Sequence, residues 1–269
     1  MANQSEDVML ARPGDTGKVA LVMGGGAGTG RAIALAFART GATVVVADID
    51  EGGGAETLKQ LSEAGARGGF VRADMGCAQD LDRLMCTIRT DYGALHQVAN
   101  NAALGLPNKP VTELTEEEWD RCHAVTLKGI WLSMKYQLPL IEASGGGTIA
   151  NVASVSGLRG EVFQSAYAAA KGGVISLSKS VAAEYARRGV RVNTVCPGGI
   201  NSGGMQLYLR SMPEMRDKVL NAHAMGRLAE PKEIADAVVY LCSDQASFIT
   251  GHDLVVDGGV MVRSNVLEL

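Results

Sequence analysis

The stretch Val19-Ala20-Leu21-Val22-Met23-Gly24-Gly25-Gly26-Ala27-Gly28-Thr29-Gly30, continuing Arg31-Ala32-Ile33-Ala34-Leu35-Ala36-Phe37, decides the fold. Its opening apolar run shows no polar alternation. It reads as a strand buried on both faces, as a parallel sheet between helices requires. The glycines permit a tight turn, and the alanine-rich run after them is helical in character. That order brings backbone N–H groups at a helix N-terminus up to a pyrophosphate. Asp48 lies 18 residues beyond Gly30, directly after Val44-Val45-Val46-Ala47. A carboxylate there can accept hydrogen bonds from adenosine ribose hydroxyls and repels a 2′-phosphate. Ile49 follows and offers that phosphate no cation, so NAD is favoured over NADP.

The same alternation continues outward. Short β-branched or apolar runs at 43–47, 69–72, 97–99, 148–152, 190–195 and 254–256 are separated by segments of helical length. One helix is expected to begin at Thr115, where Glu118 completes a capping box, and another spans about 231–242 with Pro231 in its first turn. Such alternation implies right-handed crossovers. The expected fold is α/β: a single-domain, Rossmann-like, doubly wound parallel sheet with helices on both faces. It occupies 18–269, after a polar extension over 1–17. The stretch at about 198–222 reads as a long irregular substrate loop.

Composition excludes several classes. Of 269 residues, 46% are hydrophobic and 20% charged, which supports a large core and rules out a disordered or fibrous chain. The net charge of −4, without a basic cluster, argues against nucleic acid or an anionic membrane surface as partner. No apolar run is long enough to span a bilayer, and the first residues resemble neither a secretion signal nor a transit peptide. Five cysteines without a C-x-x-C spacing fit a reducing cytoplasmic compartment. The four histidines have no metal-ligand spacing, so no metal is expected.

Among six tyrosines only Tyr167 has a lysine four residues on, Lys171, which a helix stacks on the same face. Ser154 lies 13 residues before Tyr167 at a strand end, where open α/β sheets bind ligands. Oxidising an alcohol needs a group that takes the hydroxyl proton as hydride leaves carbon. A free tyrosine, with pKa about 10, is too weak a base at neutral pH. A nearby ammonium and a cationic nicotinamide favour the phenolate; bringing it to neutrality takes roughly 4 kcal/mol.

The spacing Gly24-x-x-x-Gly28-x-Gly30, with Asp48, Asn100-Asn101-Ala102-Ala103 and Tyr167-x-x-x-Lys171, resembles the short-chain dehydrogenase/reductase family from about Lys18 to Gly259. Met23 and Thr29 stand where the family writes threonine and isoleucine, and Ala103 replaces a glycine. The resemblance implies Tyr167 as acid/base, Lys171 as the cation that acidifies it and binds the nicotinamide ribose, and Ser154 as partner of the reacting oxygen. It further implies cofactor contacts from Asp74 and Met75 at the adenine, from Asn101, Ala102 and Ala103, and from Pro197, Gly198, Ile200 and Ser202 at the nicotinamide. Thr126 stands where the family has a relay asparagine, and is carried over as a relay member only.

The segment from Ala168 to Leu177 is apolar or small nearly all round, which demands burial on two faces. A homo-oligomer is expected, and the family resemblance implies a homotetramer. Met205, Leu207, Tyr208, Met212, Met215 and Met225 make an adaptable apolar lid, suited to a small alicyclic or terpenoid-like secondary alcohol or its ketone. Two other readings compete. A 3-oxoacyl-(acyl-carrier-protein) reductase would want basic residues where Leu132 and Ala183 stand. A non-catalytic NAD-binding sensor would have lost Tyr167 or Lys171.

Overall fold

The first apolar run forms β1, Val19–Met23, and pairs in parallel on both sides, with β2 (Thr43–Asp48) and with β4 (Gln97–Asn100). The structure, a computed structural model, describes residues 17–262; the polar segment 1–16 lies outside them. With β3 (Gly68–Arg72), β5 (Gly147–Val152), β6 (Val190–Pro197) and β7 (Asp253–Val256), these strands form one parallel sheet in the order β3-β2-β1-β4-β5-β6-β7. The chain winds one way from β1 to β3 and the other way from β4 to β7. The loops leaving β1 and β4 therefore diverge, which opens a crevice at their carboxyl ends.

The helices follow in chain order: α1 (Gly28–Arg39), α2 (Glu51–Glu63), α3 (Ala78–Thr87), α4 (Glu116–His123), α5 (Gly129–Ala143), α6 (Ser165–Tyr185), α7 (Gly203–Ser211), α8 (Arg216–Asn221) and α9 (Pro231–Cys242). Strand pleating distributes β1 between two cores. Val19, Leu21 and Met23 join the helix residues Leu84, Ile130, Met134 and Val174 on one face. Ala20 and Val22 join Ile33, Phe37, Ile234 and Val238 on the other. The expected capping box is present, with Glu118 N–H donating to Thr115 Oγ1 at 3.2 Å and Thr115 N–H to Glu118 Oε2 at 3.1 Å.

Two expectations are corrected. The strands are not all enclosed on both faces: β3 and β7 are partly exposed, because a sheet edge lacks a neighbour and helices overhang it incompletely. Nor is 198–222 irregular, since it carries α7 and α8. Gly203 and Gly204 form the first turn of α7, whose Ser202 cap accepts from Met205 N–H at 3.3 Å.

A buried polar chain runs through the first core. Asn100 Nδ2 donates to Asn151 Oδ1 at 2.9 Å, Gln137 Nε2 to Asn100 Oδ1 at 2.8 Å, and Asn151 Nδ2 to Ser178 Oγ at 2.9 Å. It ties β4, β5, α5 and α6 together beneath the crevice. Between α4 and α5 the helix widens into a π turn over Ala124–Lys128.

Candidate active site

The glycine loop closes on the crevice. Gly24 has φ +72°, and a Cβ there would meet Ala102 at 2.8 Å. Asn101 pins the same residue from β4, its Nδ2 donating to Gly24 O at 3.0 Å. Gly30 lies so close beneath that a Cβ would collide with Gly24 O. By contrast Gly28, at φ +50°, has nothing within 4 Å of the position its Cβ would take. Ala27, the N-cap of α1, supplies no side-chain cap, so the N–H groups around Gly28, Thr29 and Gly30 face an open cradle. Those groups fit the pyrophosphate of a dinucleotide.

Asp48 ends β2 beside that loop. Its Oδ2 accepts from Gly26 N–H at 2.8 Å and its Oδ1 from Asp50 N–H at 3.0 Å. Ile49 next to it is 61% exposed, with no cation in its place. Asp74 is exposed, turned back to Gly76 N–H at 2.8 Å, and Met75 is buried below it. Sequence reasoning missed the underside of the loop. Arg31 Nη2 donates to Gly26 O at 2.5 Å and Arg31 Nε to Thr57 Oγ1 at 2.9 Å, while Thr57 Oγ1 donates to Gly25 O at 2.9 Å. A cation immediately after the last motif glycine was the available signal.

Ser154, Tyr167 and Lys171 come together at the end of β5. Ser154 caps the short turn Val155–Gly157 and hydrogen-bonds Tyr167. Lys171, 1% exposed, donates from Nζ to Val152 O at 2.6 Å and lies 5.7 Å from the Tyr167 ring centroid. The expectation that the lysine acidifies the tyrosine does not hold for the protein alone. Burial pushes the Tyr167 phenol up to about 12, against the opposing pull of the Ser154 hydrogen bond. Burial likewise pushes the Lys171 amine down to about 8. Desolvation of both groups exceeds their mutual effect.

Thr126 sits in the π turn, fully buried. Its hydroxyl accepts from Leu104 N–H at 3.0 Å and lies 3.5 Å from Leu104 O, so it holds the loop after β4. Pro197 ends β6; Gly198 is pressed against Asp257, and Ile200 bridges to Ala229. Among the described residues no three His, Cys, Asp or Glu side chains gather as a metal would need. All five cysteines are free, and no helix of the described residues is long and apolar enough to cross a membrane.

A cleft of about 1100 Å³ opens over Ser154 and Tyr167. Ala103, Gly198, Ile200 and Ser202 line it, as do Met205, Tyr208 and Met215 of the lid. Leu207, Met212 and Met225 do not line it; they are exposed, which halves the methionine-rich wall expected from the sequence. The wall contains features that no motif signalled. His223 Nε2 accepts from Gly199 N–H at 3.0 Å, Phe163 has a left-handed φ of +65°, and Ser156 donates to Glu161 Oε2 at 2.5 Å.

Known proteins match this arrangement over nearly the whole chain. A family model described as "Enoyl-(Acyl carrier protein) reductase" matches residues 24–261. The chain is 39% identical over 246 residues to 2-(S)-hydroxypropyl-CoM dehydrogenase 3 of Xanthobacter autotrophicus, covering 90% of this chain and 96% of that one. It is 37% identical over 241 residues to cyclohexanol dehydrogenase of an Acinetobacter species, covering 90% and 94%. The crystal structure of levodione reductase superposes with a TM-score of 0.88 at 30% identity, covering 92% of this chain and 99% of that one. The chain belongs to the short-chain dehydrogenase/reductase family of oxidoreductases.

Proposed function

We propose that the protein is an NAD-dependent dehydrogenase that interconverts a secondary alcohol, alicyclic or terpenoid-like, with its ketone. The observation that carries this reading is the convergence of Ser154 and Tyr167 on the cleft, with Lys171 buried against the Tyr167 ring, in a cleft that Ala103 also lines, one residue from the Ala102 that packs on Gly24. The relatives named for cyclohexanol and levodione support a cyclic substrate, as do the apolar side chains of Met205, Tyr208 and Met215.

A bound nicotinamide would supply the hydride acceptor or donor and a positive charge. The chain's residues do the rest. Gly28, Thr29 and Gly30 hold the pyrophosphate on backbone N–H groups, while Gly24, whose N–H donates to Ala47 O at 2.7 Å, shapes the turn beneath it. Asp48 takes the ribose hydroxyls, with Ile49 flanking, and Asp74 and Met75 border the adenine. Asn101, Ala102 and Ala103 border the crevice from β4, while Pro197, Gly198, Ile200 and Ser202 border the nicotinamide. Ser154 hydrogen-bonds the reacting oxygen, and Tyr167 takes its proton on oxidation and returns it on reduction. Lys171, anchored to Val152 O, lowers the phenol's pKa once the cofactor's charge adds to its own. The protein acts as a homotetramer in the cytoplasm, without nucleic acid or membrane as partner.

A carrier-protein reductase reading draws on the description of the matching family model. Leu132 is buried and Ala183 is neutral, so neither offers the charge an acidic carrier needs. A panel of cyclic and open-chain secondary alcohols, mixed with NAD or NADP and followed by reduced-cofactor absorbance, tests the proposal. Turnover of cyclic alcohols with NAD, abolished in Tyr167→Phe with cofactor binding retained, is expected. No turnover of any alcohol, or full turnover by Tyr167→Phe, overturns it.

A further inference from the structure

Resting on the dehydrogenase reading above, we propose that His223 is the positioning residue that seats the lid on the nicotinamide border and thereby sets a preference for cyclic over small alcohols. From Gly198 to Arg227 it is the one buried residue, 4% exposed. Neither α7 nor α8 buries a side chain. Two short helices without a buried face are not fastened by apolar contact, so specific polar bonds must hold them. At the near end Asn201 Nδ2 donates to Glu230 Oε1 at 2.9 Å, and Gln206 Nε2 donates to Asn201 Oδ1 at 3.1 Å. At the far end stands His223, two residues beyond α8.

Both ring nitrogens are committed to backbone. Nδ1 lies 2.8 Å from Val219 O, which can only accept, and Nε2 lies 3.0 Å from Gly199 N, whose N–H can only donate. The ring is therefore neutral with its proton on Nδ1, and its one donor and one acceptor are both spent. It offers a substrate no polar group, which separates its role from those of Ser154 and Tyr167. The ring meets three segments: α8 at Val219, the turn after β6 and the turn after β7. A Cβ at Gly199 would come within 2.9 Å of its Cε1, and one at Gly258 within 3.6 Å of its Cδ2. Gly199 is also held from its other side, its carbonyl accepting from Ala229 N–H at 2.9 Å. The turn is the fixed member, and the lid is what His223 brings to it.

Both members face the substrate. Gly198, Gly199 and Ile200 line the cleft from the turn, and Met215, Val219 and Ala222 line it from the lid. Breaking either bond of the ring lets Met215 and Val219 drift from the turn. Ser154 and Tyr167 stay in place, because β5 and α6 carry them. A cyclic alcohol held at those two hydroxyls then loses apolar contact with the lid. Propan-2-ol, held the same way, has no ring carbons to lose it.

The test uses two substitutions that each break one bond. Asparagine places its amide where Nδ1 stands, so His223→Asn keeps the link to Val219 O. Glutamine places its amide where Nε2 stands, so His223→Gln keeps the link to Gly199 N–H. In both variants kcat/KM for cyclohexanol relative to propan-2-ol is expected to fall about tenfold, as one hydrogen bond to a buried group is worth, with the loss in the cyclohexanol KM. NADH affinity, read by fluorescence titration, should hold. Without cofactor, trypsin should cut after the exposed Arg216 and Lys218 of α8 about tenfold faster than in wild type, while cleavage after Arg187 and Arg188, outside the lid, keeps its rate. An unchanged preference in either variant, or cleavage at Arg187 and Arg188 that accelerates equally, overturns the seat and leaves the dehydrogenase assignment standing. Full turnover by Tyr167→Phe overturns that assignment, and the trypsin pattern then reads the seating of the lid by itself.

Discussion

The Lys171 ammonium lies 5.7 Å from the centre of the Tyr167 ring, yet is bonded to the Val152 carbonyl at 2.6 Å. The two groups share one helix face and one buried corner, and each is driven by burial toward its neutral form. A pair in this state is poised. On the function proposed above, it becomes a base only when further positive charge arrives, and proton removal is then coupled to cofactor binding.

That coupling is measurable by ultraviolet titration of tyrosinate, taking wild type minus Tyr167→Phe. In the protein alone Tyr167 stays protonated until about 12. With NAD bound, its ionisation is expected to move down by about 3 pH units or more. An unmoved titration with NAD demonstrably bound would contradict the role given to Tyr167.

Lys171→Met should separate stability from activity. The fall in the amine's pKa from 10.5 to about 8 corresponds to about 3 kcal/mol of folding stability given up below pH 8. The sign follows from linkage: the unfolded chain holds the proton more tightly, so wild-type stability rises with pH from about 8 to about 10.5 and is flat below. Methionine removes this penalty but leaves Val152 O unpartnered. A net gain of about 1–2 kcal/mol in urea unfolding at neutral pH is expected, with turnover lost.

Asp48→Ala deprives Gly26 N–H of its acceptor at 2.8 Å as well as removing the ribose ligand. NADH affinity, followed by fluorescence titration, should drop about ten- to a hundredfold. NADPH affinity should fall far less, because the repulsion of its 2′-phosphate disappears. Equal losses for both cofactors would reduce Asp48 to a loop anchor.

His96 should make the fold acid-labile. Its Nδ1 accepts from Val19 N–H at 3.0 Å, so the folded state needs that nitrogen unprotonated, and burial, with Lys18 nearby, lowers its pKa below 6.5. The unfolded chain takes the proton more readily. The contribution is therefore complete above about 6.5 and is lost as pH falls through the window beneath it. The urea midpoint of wild type should decline more steeply from about pH 7 to about pH 5 than that of His96→Asn, whose side chain has no such proton to bind.

The outer faces of α5 and α6 predict self-association. Trp131 is 44% exposed beside Leu127 and Leu177, in a shallow depression bordered by Asp120 and Lys128. Light scattering should report four chains per particle, and Trp131→Asp should reduce that number. A monomeric wild type would remove the homotetramer.

Much of this was readable from local pattern. Each strand announced itself as a β-branched or apolar run, and Tyr167 and Lys171 by their spacing. Period and spacing are local, however, and what escaped them is set by tertiary contact. Ser156 and Glu161 lie in a short loop with no repeat, and only the fold closes their 2.5 Å bond. The left-handed Phe163 could not be read from a phenylalanine, nor the helix α7 from two glycines. The direction of the Tyr167 shift depends on how much water the surrounding helices exclude, which no motif encodes.

The amide chain through Asn100, Gln137, Asn151 and Ser178 guards against misassembly. Greasy side chains accept many neighbours, so an oily interior tolerates a strand that has slipped by one position. Amides are choosier: Asn151 faces Asn100 across β4 and β5 in a single alignment, and sliding either strand would strand their polar ends away from water. The floor on which Ser154 stands is thereby indexed to the crevice beside it, and a chain that folded out of step would be rejected before any ligand arrived.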